Sequence, residues 1–311
     1  MDGGQGVAID DAVAQTAPAP PAARQNRATD PRRGTFRLLY GAPLLVLLCF
    51  LVAPLLLMAA LSTRPDMSGA LLAPWTPTLA QYELVPTYLR LLAISMAMAA
   101  IIAAVATALA YPVAYFLRFR AGDRAALLLL LLLVPFWTSY LLRVMAWKVM
   151  LGQEGVINSF LLSLGVIGEP IRALLYNREA VVVTLVYVWI PFAALPILAA
   201  LQRVEPLLHE AAGDLYARPL EQFRRVTLPL SLPGVLAAFF MVFIPTVGEY
   251  ITPLLVGGTG GTMYGNIIQD FFVRAANWPL GAAMSIVMLV VTLLLAAVAL
   301  RLIDLRRFSL R

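Results

Sequence analysis

The sequence is short of almost every residue type that carries polar chemistry. It has one cysteine, Cys49, and one histidine, His209, in 311 residues. A lone cysteine excludes an intrachain disulfide and a cysteine-ligated metal cluster, and a lone histidine excludes a multi-histidine metal site. Lysine occurs once, at Lys148, directly after Trp147. A phosphate-binding P-loop needs Gly-Lys followed by Ser or Thr, so the chain has no means of hydrolysing ATP itself. No metal or cofactor site is expected, and neither is a membrane-embedded enzyme, which would need clustered histidines or carboxylates. Charge is also scarce, at 13% of residues where soluble domains carry about 25%. With 61% hydrophobic residues and a mean hydropathy of +0.84, a soluble fold could not cover its surface with polar groups. The natural solvent is a membrane.

What is there is long and apolar. Six uncharged stretches can be read off the chain: Leu38–Leu61, Leu91–Leu117, Ala125–Leu142, Ala180–Gln202, Val226–Gly248 and Ala275–Leu300. Each reaches or approaches the roughly 20 residues an α-helix needs to cross about 30 Å of hydrocarbon. They are apolar all round, with no narrow stripe. The alternating segments of about ten residues that mark a membrane β-barrel are missing. The expectation is an all-α membrane protein of six transmembrane helices.

The placement of basic residues predicts orientation. Arginines gather before the first stretch (Arg24, Arg27, Arg32, Arg33, Arg37), at 118–124, at 203–225 and at the C-terminus, together 16 of the 23 basic residues. Seven fall on the other side. Positive residues accumulate on the cytoplasmic side, so both termini and the 204–231 loop are expected to be cytoplasmic. The net charge of +6 follows from topology and is no sign of nucleic-acid binding. Residues 1–35 are rich in Ala, Pro, Gln and Gly, too poor in apolar surface to order themselves, and read as a cytoplasmic tail before a permease domain at 36–311. The first stretch is too long for a cleaved leader and reads as a retained anchor, with Cys49 in plain core packing. The loop at 151–178 is apolar enough to hold a short helix. The loop at 257–279 opens with "GGTGG", a flexible or tightly turning backbone. Pro135, Pro191, Pro196, Pro245 and Pro253 each remove a backbone donor from an apolar stretch or its edge, for fixed curvature or for hinges.

One polar run interrupts this pattern: "EAAGDLYARPLEQFRRVTLPLSLPG", residues 210–234. Pro206 can occupy the first position of a helix over Leu207–Tyr216, and Pro219 should start a second that runs into the membrane. Ala211 and Ala212 are small enough to let another backbone approach. Glu210 and Asp214 lie one turn apart on one face.

In this order the residues resemble the cytoplasmic "EAA" loop of membrane subunits in ATP-binding-cassette (ABC) importers of type I. Glu210-Ala211-Ala212, Ala217, Phe223, Val226, Leu228-Pro229 and Pro233 match that family's pattern, while its turn glycine falls on Tyr216. The stretches 133–161 and 243–272 resemble the spermidine/putrescine permease subfamily. The resemblance implies a type I importer permease bundle in a bacterial inner membrane. It implies a coupling helix at Glu210, Ala211, Ala212, Asp214, Leu215, Tyr216 and Ala217 that docks on cytoplasmic ATPase subunits. It also implies a second permease subunit, a heterodimer in this subfamily, and a periplasmic or lipid-anchored binding protein. The substrate implied first is a polyamine, with an opine, iron or a phosphonate as alternatives; an ion-coupled secondary transporter is the reading from another class.

A residue-level check on substrate comes from Glu249. An ionised residue at mid-bilayer costs about 2.5–3.5 kcal/mol on insertion scales, so it is expected to face a cavity or a partner. With Trp137, Tyr140 and Tyr250 near it, a carboxylate would suit an organic ammonium through charge and cation–π contact. The equal alternative is that Glu249 pairs with Arg143 or Lys148. Trp137, Tyr140, Arg143, Glu249 and Tyr250 are the candidate pathway residues.

Overall fold

The computed structural model describes residues 31–65, 74 and 76–302. The chain divides into two compact units, Met1–Pro54 and Leu55–Arg311. Among the described residues there is no β-strand. Helix α1 runs over Pro31–Ser62, and the expected tail therefore falls largely outside the described residues. Within α1, Leu45, Leu47, Phe50 and Leu51 are all exposed, as a helix with lipid around it requires. Cys49 is exposed with them, which corrects the expected core packing: a helix apolar on every side has no single buried face to hold it.

The second unit holds the core. A short helix α2 (Ala80–Leu84) and a 3₁₀ turn lead into α3 (Leu89–Phe119). Helices α4 (Ala125–Leu133), α5 (Tyr140–Leu151) and α6 (Val156–Ser163) follow, then α7 (Arg178–Gln202). The polar run forms α8 (Pro206–Asp214) and α9 (Pro219–Gln222), a π-helical turn at Phe223–Thr227, and α10 (Leu228–Val247). A second π-turn at Pro253–Gly257, α11 (Tyr264–Val273) and α12 (Trp278–Leu302) complete it.

Helices α3, α7 and α10 form the packed centre. The reason is residue size. Ala99, Ala103, Ala106, Ala110 and Ala114 of α3 are fully buried, a stripe of small side chains that lets neighbouring backbones approach. On α10, a Cβ added at Gly234 would lie 2.4 Å from Ala200 Cβ and 2.6 Å from the Pro196 carbonyl, so α10 and α7 touch there backbone to backbone. Asn177 caps α7, its Oδ1 accepting from the Ala180 N–H at 2.7 Å.

Five described helices are long and apolar enough to cross a membrane, or six if one bent pair counts as a single span. That pair covers the apolar stretch read at Ala125–Leu142, which is bent and not one continuous helix. The helix stops at Leu133, and Gly122–Trp137 meets Tyr140–Ser163 at 87°. Pro135 denies the ladder a donor, Thr138 turns extended, and its Oγ1 donates to the Pro135 carbonyl at 2.6 Å. The short helix expected in the 151–178 loop is α6. The glycine loop is tightly turned: Cβ atoms at Gly258 and Gly261 would fall within 2.8 Å of Tyr176 Cβ and 2.5 Å of Gly257 Cα. Tyr176 N–H donates to the Val256 carbonyl at 2.9 Å, and Arg178 Nε to the Gly260 carbonyl at 2.8 Å.

Candidate functional site

Two clusters of sequence-predicted residues sit at opposite ends of α10, a helix of 20 residues and so about 30 Å long.

At the N-terminal end, Pro206 opens α8 as its first residue. The helix closes in a Schellman motif. Tyr216 N–H donates to the Gly213 carbonyl at 2.8 Å, and Ala217 N–H to the Ala212 carbonyl at 3.0 Å. Tyr216 sits at the left-handed position with φ 57°, where glycine is the usual occupant. The family turn is therefore kept, with a tyrosine in a conformation that costs an L-residue about 1–2 kcal/mol. Pro219 then starts α9, and Gln222 Nε2 ties the two short helices by donating to the Ala217 carbonyl at 3.0 Å. Glu210, Ala211 and Asp214 are exposed and Ala212 and Ala217 half-buried. Leu215 and Tyr216 are 82% and 94% exposed. The result is a short protrusion whose two carboxylates have no ion-pair partner among the described residues and lie beside an apolar tip.

His209 and the aromatic residues around it were missed as a group by sequence reasoning. His209 Nε2 is 3.0 Å from the buried Thr227 Oγ1, and its ring meets Phe119 edge-on at 5.2 Å. Phe119 packs on Tyr115 at 4.8 Å, and Phe223 lies edge-on to Tyr111 at 5.6 Å and to Tyr115 at 6.1 Å. Tyr111 Oη is 2.8 Å from Ser231 Oγ. The available signal was Tyr111, Tyr115 and Phe119 at a spacing of four, one stripe of a helix; its partners lie about a hundred residues away.

At the far end, the helical ladder breaks after Val247. Glu249 Oε1 accepts from the N–H groups of Ile251 and Thr252 at 2.8 and 3.1 Å, capping the turn that follows. Thr252 is fully buried, and its Oγ1 meets Tyr140 Oη at 2.5 Å. The buried Arg143 guanidinium lies 5.6 Å from the Phe136 ring centre and 5.8 Å from that of Tyr140. Tyr140 and Glu249 thus converge on Thr252, a residue with no signal of its own in the sequence, and Arg143 lies against the Tyr140 ring. The expected pairing of Glu249 with Arg143 or Lys148 is not formed; the ion pairs among the described residues are Glu221–Arg225 and Asp270–Arg274. Aromatic faces take the place of acids, with Lys148 Nζ lying 5.8 Å from the Tyr176 ring centre. Tyr250 joins through its carbonyl, which accepts from Asn266 Nδ2 at 2.8 Å. Trp137 stands apart, 74% exposed.

The described residues form a bundle of packed, Ala-lined spans with a protruding two-helix loop between two of them. The chain belongs to the family described as binding-protein-dependent transport system inner membrane component, whose model matches residues 22–308. It is a multi-pass permease of a bacterial inner membrane, the membrane component of an ABC importer. It is 37% identical to the spermidine/putrescine transport system permease protein PotB of Escherichia coli (strain K12) over 249 residues, 79% of this chain and 89% of that one. It is 32% identical to the inner membrane ABC transporter permease protein YdcU of the same organism, covering 67% of this chain and 70% of that one. Among solved structures, it aligns with a chain of a bacterial ABC transporter involved in the import of the acidic polysaccharide alginate. The TM-score is 0.68 at 16% identity, covering 90% of this chain and 98% of the other; the likeness is one of fold.

Proposed function

We propose that this permease carries polyamines. Residues 36–311 form the permease domain, both termini face the cytoplasm, and the 204–231 loop is gripped by cytoplasmic ATPase subunits. A second, distinct permease completes the pathway as a heterodimer, and an external binding protein, periplasmic or lipid-anchored, delivers substrate. The observation that carries the coupling role is the Schellman-closed α8, which holds Glu210 and Asp214 exposed and without an ion-pair partner among the described residues, beside the exposed Leu215 and Tyr216. The polyamine assignment rests on the named activity of relatives at 37% identity. The far-end cluster agrees with it: Glu249 keeps its Oε1 on two backbone donors and its charge unpaired, next to Tyr140 and Tyr250, a setting that suits an alkylammonium. The test is uptake of radiolabelled putrescine and spermidine by proteoliposomes holding the assembled complex and its binding protein. Saturable, ATP-dependent uptake is expected. Uptake of neither amine, with the same complex transporting another compound, would replace the substrate assignment.

A further inference from the structure

We propose that His209 and Thr227 form a pin that passes motion of α8 into span α10, with the Tyr111–Tyr115–Phe119 stripe of α3 as its fulcrum. The inference rests on the reading of α8 as the ATPase-gripped element. Of the nine residues of α8, seven are exposed, and only His209 and Ala212 are not. They lie three apart, so they share one inward face. Ala212 ends in a methyl group. His209 is the long side chain of α8 most withdrawn from solvent, and it reaches two elements at once: the foot of α10 through Thr227 Oγ1 at 3.0 Å and α3 through the Phe119 ring at 5.2 Å.

Where the pin lands matters. Thr227 is fully buried and is the last residue of the π-turn Phe223–Thr227 at the foot of α10. A π-turn carries one extra residue in the helical ladder, and such turns concentrate at functional sites. The ladder is locally wider here, so the foot of α10 has freedom that a regular helix lacks. Phe223, the first residue of the same turn, is held between Tyr111 and Tyr115. Arg118, on the same helix, donates to the Leu201 and Val204 carbonyls at 3.3 and 3.4 Å, which fixes α3 to the end of α7. One end of the turn is seated on a fixed rail and the other is hydrogen-bonded to the moving element. Displacement of α8 then enters α10 through Thr227, while Phe223 pivots on the rings. His209 is a positioning residue: it touches neither nucleotide nor substrate.

The experiment uses the full complex in proteoliposomes, with Cys49→Ser as background and Tyr250→Cys as a reporter at the far end of α10. The readout is the change in labelling rate by a membrane-impermeant maleimide on adding ATP and vanadate, which needs no transported substrate. Thr227→Val removes the hydroxyl at constant shape, and His209→Phe keeps the ring and removes the bond. Each should cut the ATP-dependent change at least fivefold, with ATPase co-purification and melting temperature unaltered. Thr227→Ser should restore it. His209 lies outside the membrane core, so its variant keeps the test alive if Thr227→Val fails to fold. A full labelling change in His209→Phe or in a folded Thr227→Val overturns the pin. Glu210→Lys separates the two ideas: a full change in that variant overturns the gripped-loop reading, whereas loss in Glu210→Lys with wild-type behaviour in the pin variants overturns the pin alone.

Discussion

The two ends of α10 are built alike and finished differently. Both carry a π-turn, Phe223–Thr227 at one end and Pro253–Gly257 at the other. Both seat a buried threonine against a side chain from a distant element, Thr227 on His209 and Thr252 on Tyr140. At the first end the chain then pushes its apolar residues outward, with Leu215 and Tyr216 almost wholly exposed. At the second it folds back on itself. Gly265 comes so close to the Gly248 and Glu249 carbonyls that an added Cβ would lie 2.8 Å from each, and Asn266 and Glu249 consume the free backbone groups. One end is finished by its own chain; the other leaves apolar side chains exposed, which fits the proposed docking on an ATPase subunit.

The sharpest way to break this contrast is Glu210→Lys. It reverses the charge at position 210, and uptake should fall at least tenfold while the permease still assembles, measured as transport per copy in proteoliposomes. Unchanged uptake would remove the coupling role from α8. The next effect is on the packing that joins the ends. Gly234→Leu drives four heavy atoms into Ala200 and Pro196, where even a Cβ is 2.4 Å from its neighbour. Overpacking costs about 1–3 kcal/mol, read as a lower melting temperature in detergent, with folded yield reduced. At the far end, Glu249→Gln keeps an oxygen for the Ile251 and Thr252 N–H groups and removes the charge. The melting temperature should move little, since a neutral cap retains most of a bond worth about 1 kcal/mol, and putrescine uptake should drop severalfold. Wild-type uptake kinetics would make Glu249 a cap and nothing more. The smallest effect is Tyr216→Gly. It relieves the left-handed φ and should stabilise the protein by about 1 kcal/mol, seen as a rise in melting temperature with transport retained. A loss of transport would show that the tyrosine side chain itself is part of the docking surface.

Much of this was legible beforehand, for reasons of solvent. Spans α3, α7, α10 and α12 lie close to apolar stretches because a chain in hydrocarbon must satisfy its backbone within each helix. Pro206 and Pro219 marked the starts of α8 and α9 for an equally local reason, the fixed φ of proline. The break after Leu133 was harder to see. Pro135 was noticed, but four prolines in the other stretches were noticed too, and Pro191 and Pro196 sit inside a continuous α7. Whether a proline bends or breaks a helix depends on what donates to the carbonyls left free; here the Thr138 hydroxyl donates to the Pro135 carbonyl. Glu249 had a charge partner expected from depth alone, and neighbouring amides reached it first.

The sequence by itself determined the solvent, the helical class and the family, because each follows from composition, run length and local order. Only the tertiary structure decided which side chains act together. His209 with Thr227, and Tyr140 with Thr252, are 18 and 112 residues apart. Such pairs are set by how close two helices can pack, and that distance depends on the small residues of a third.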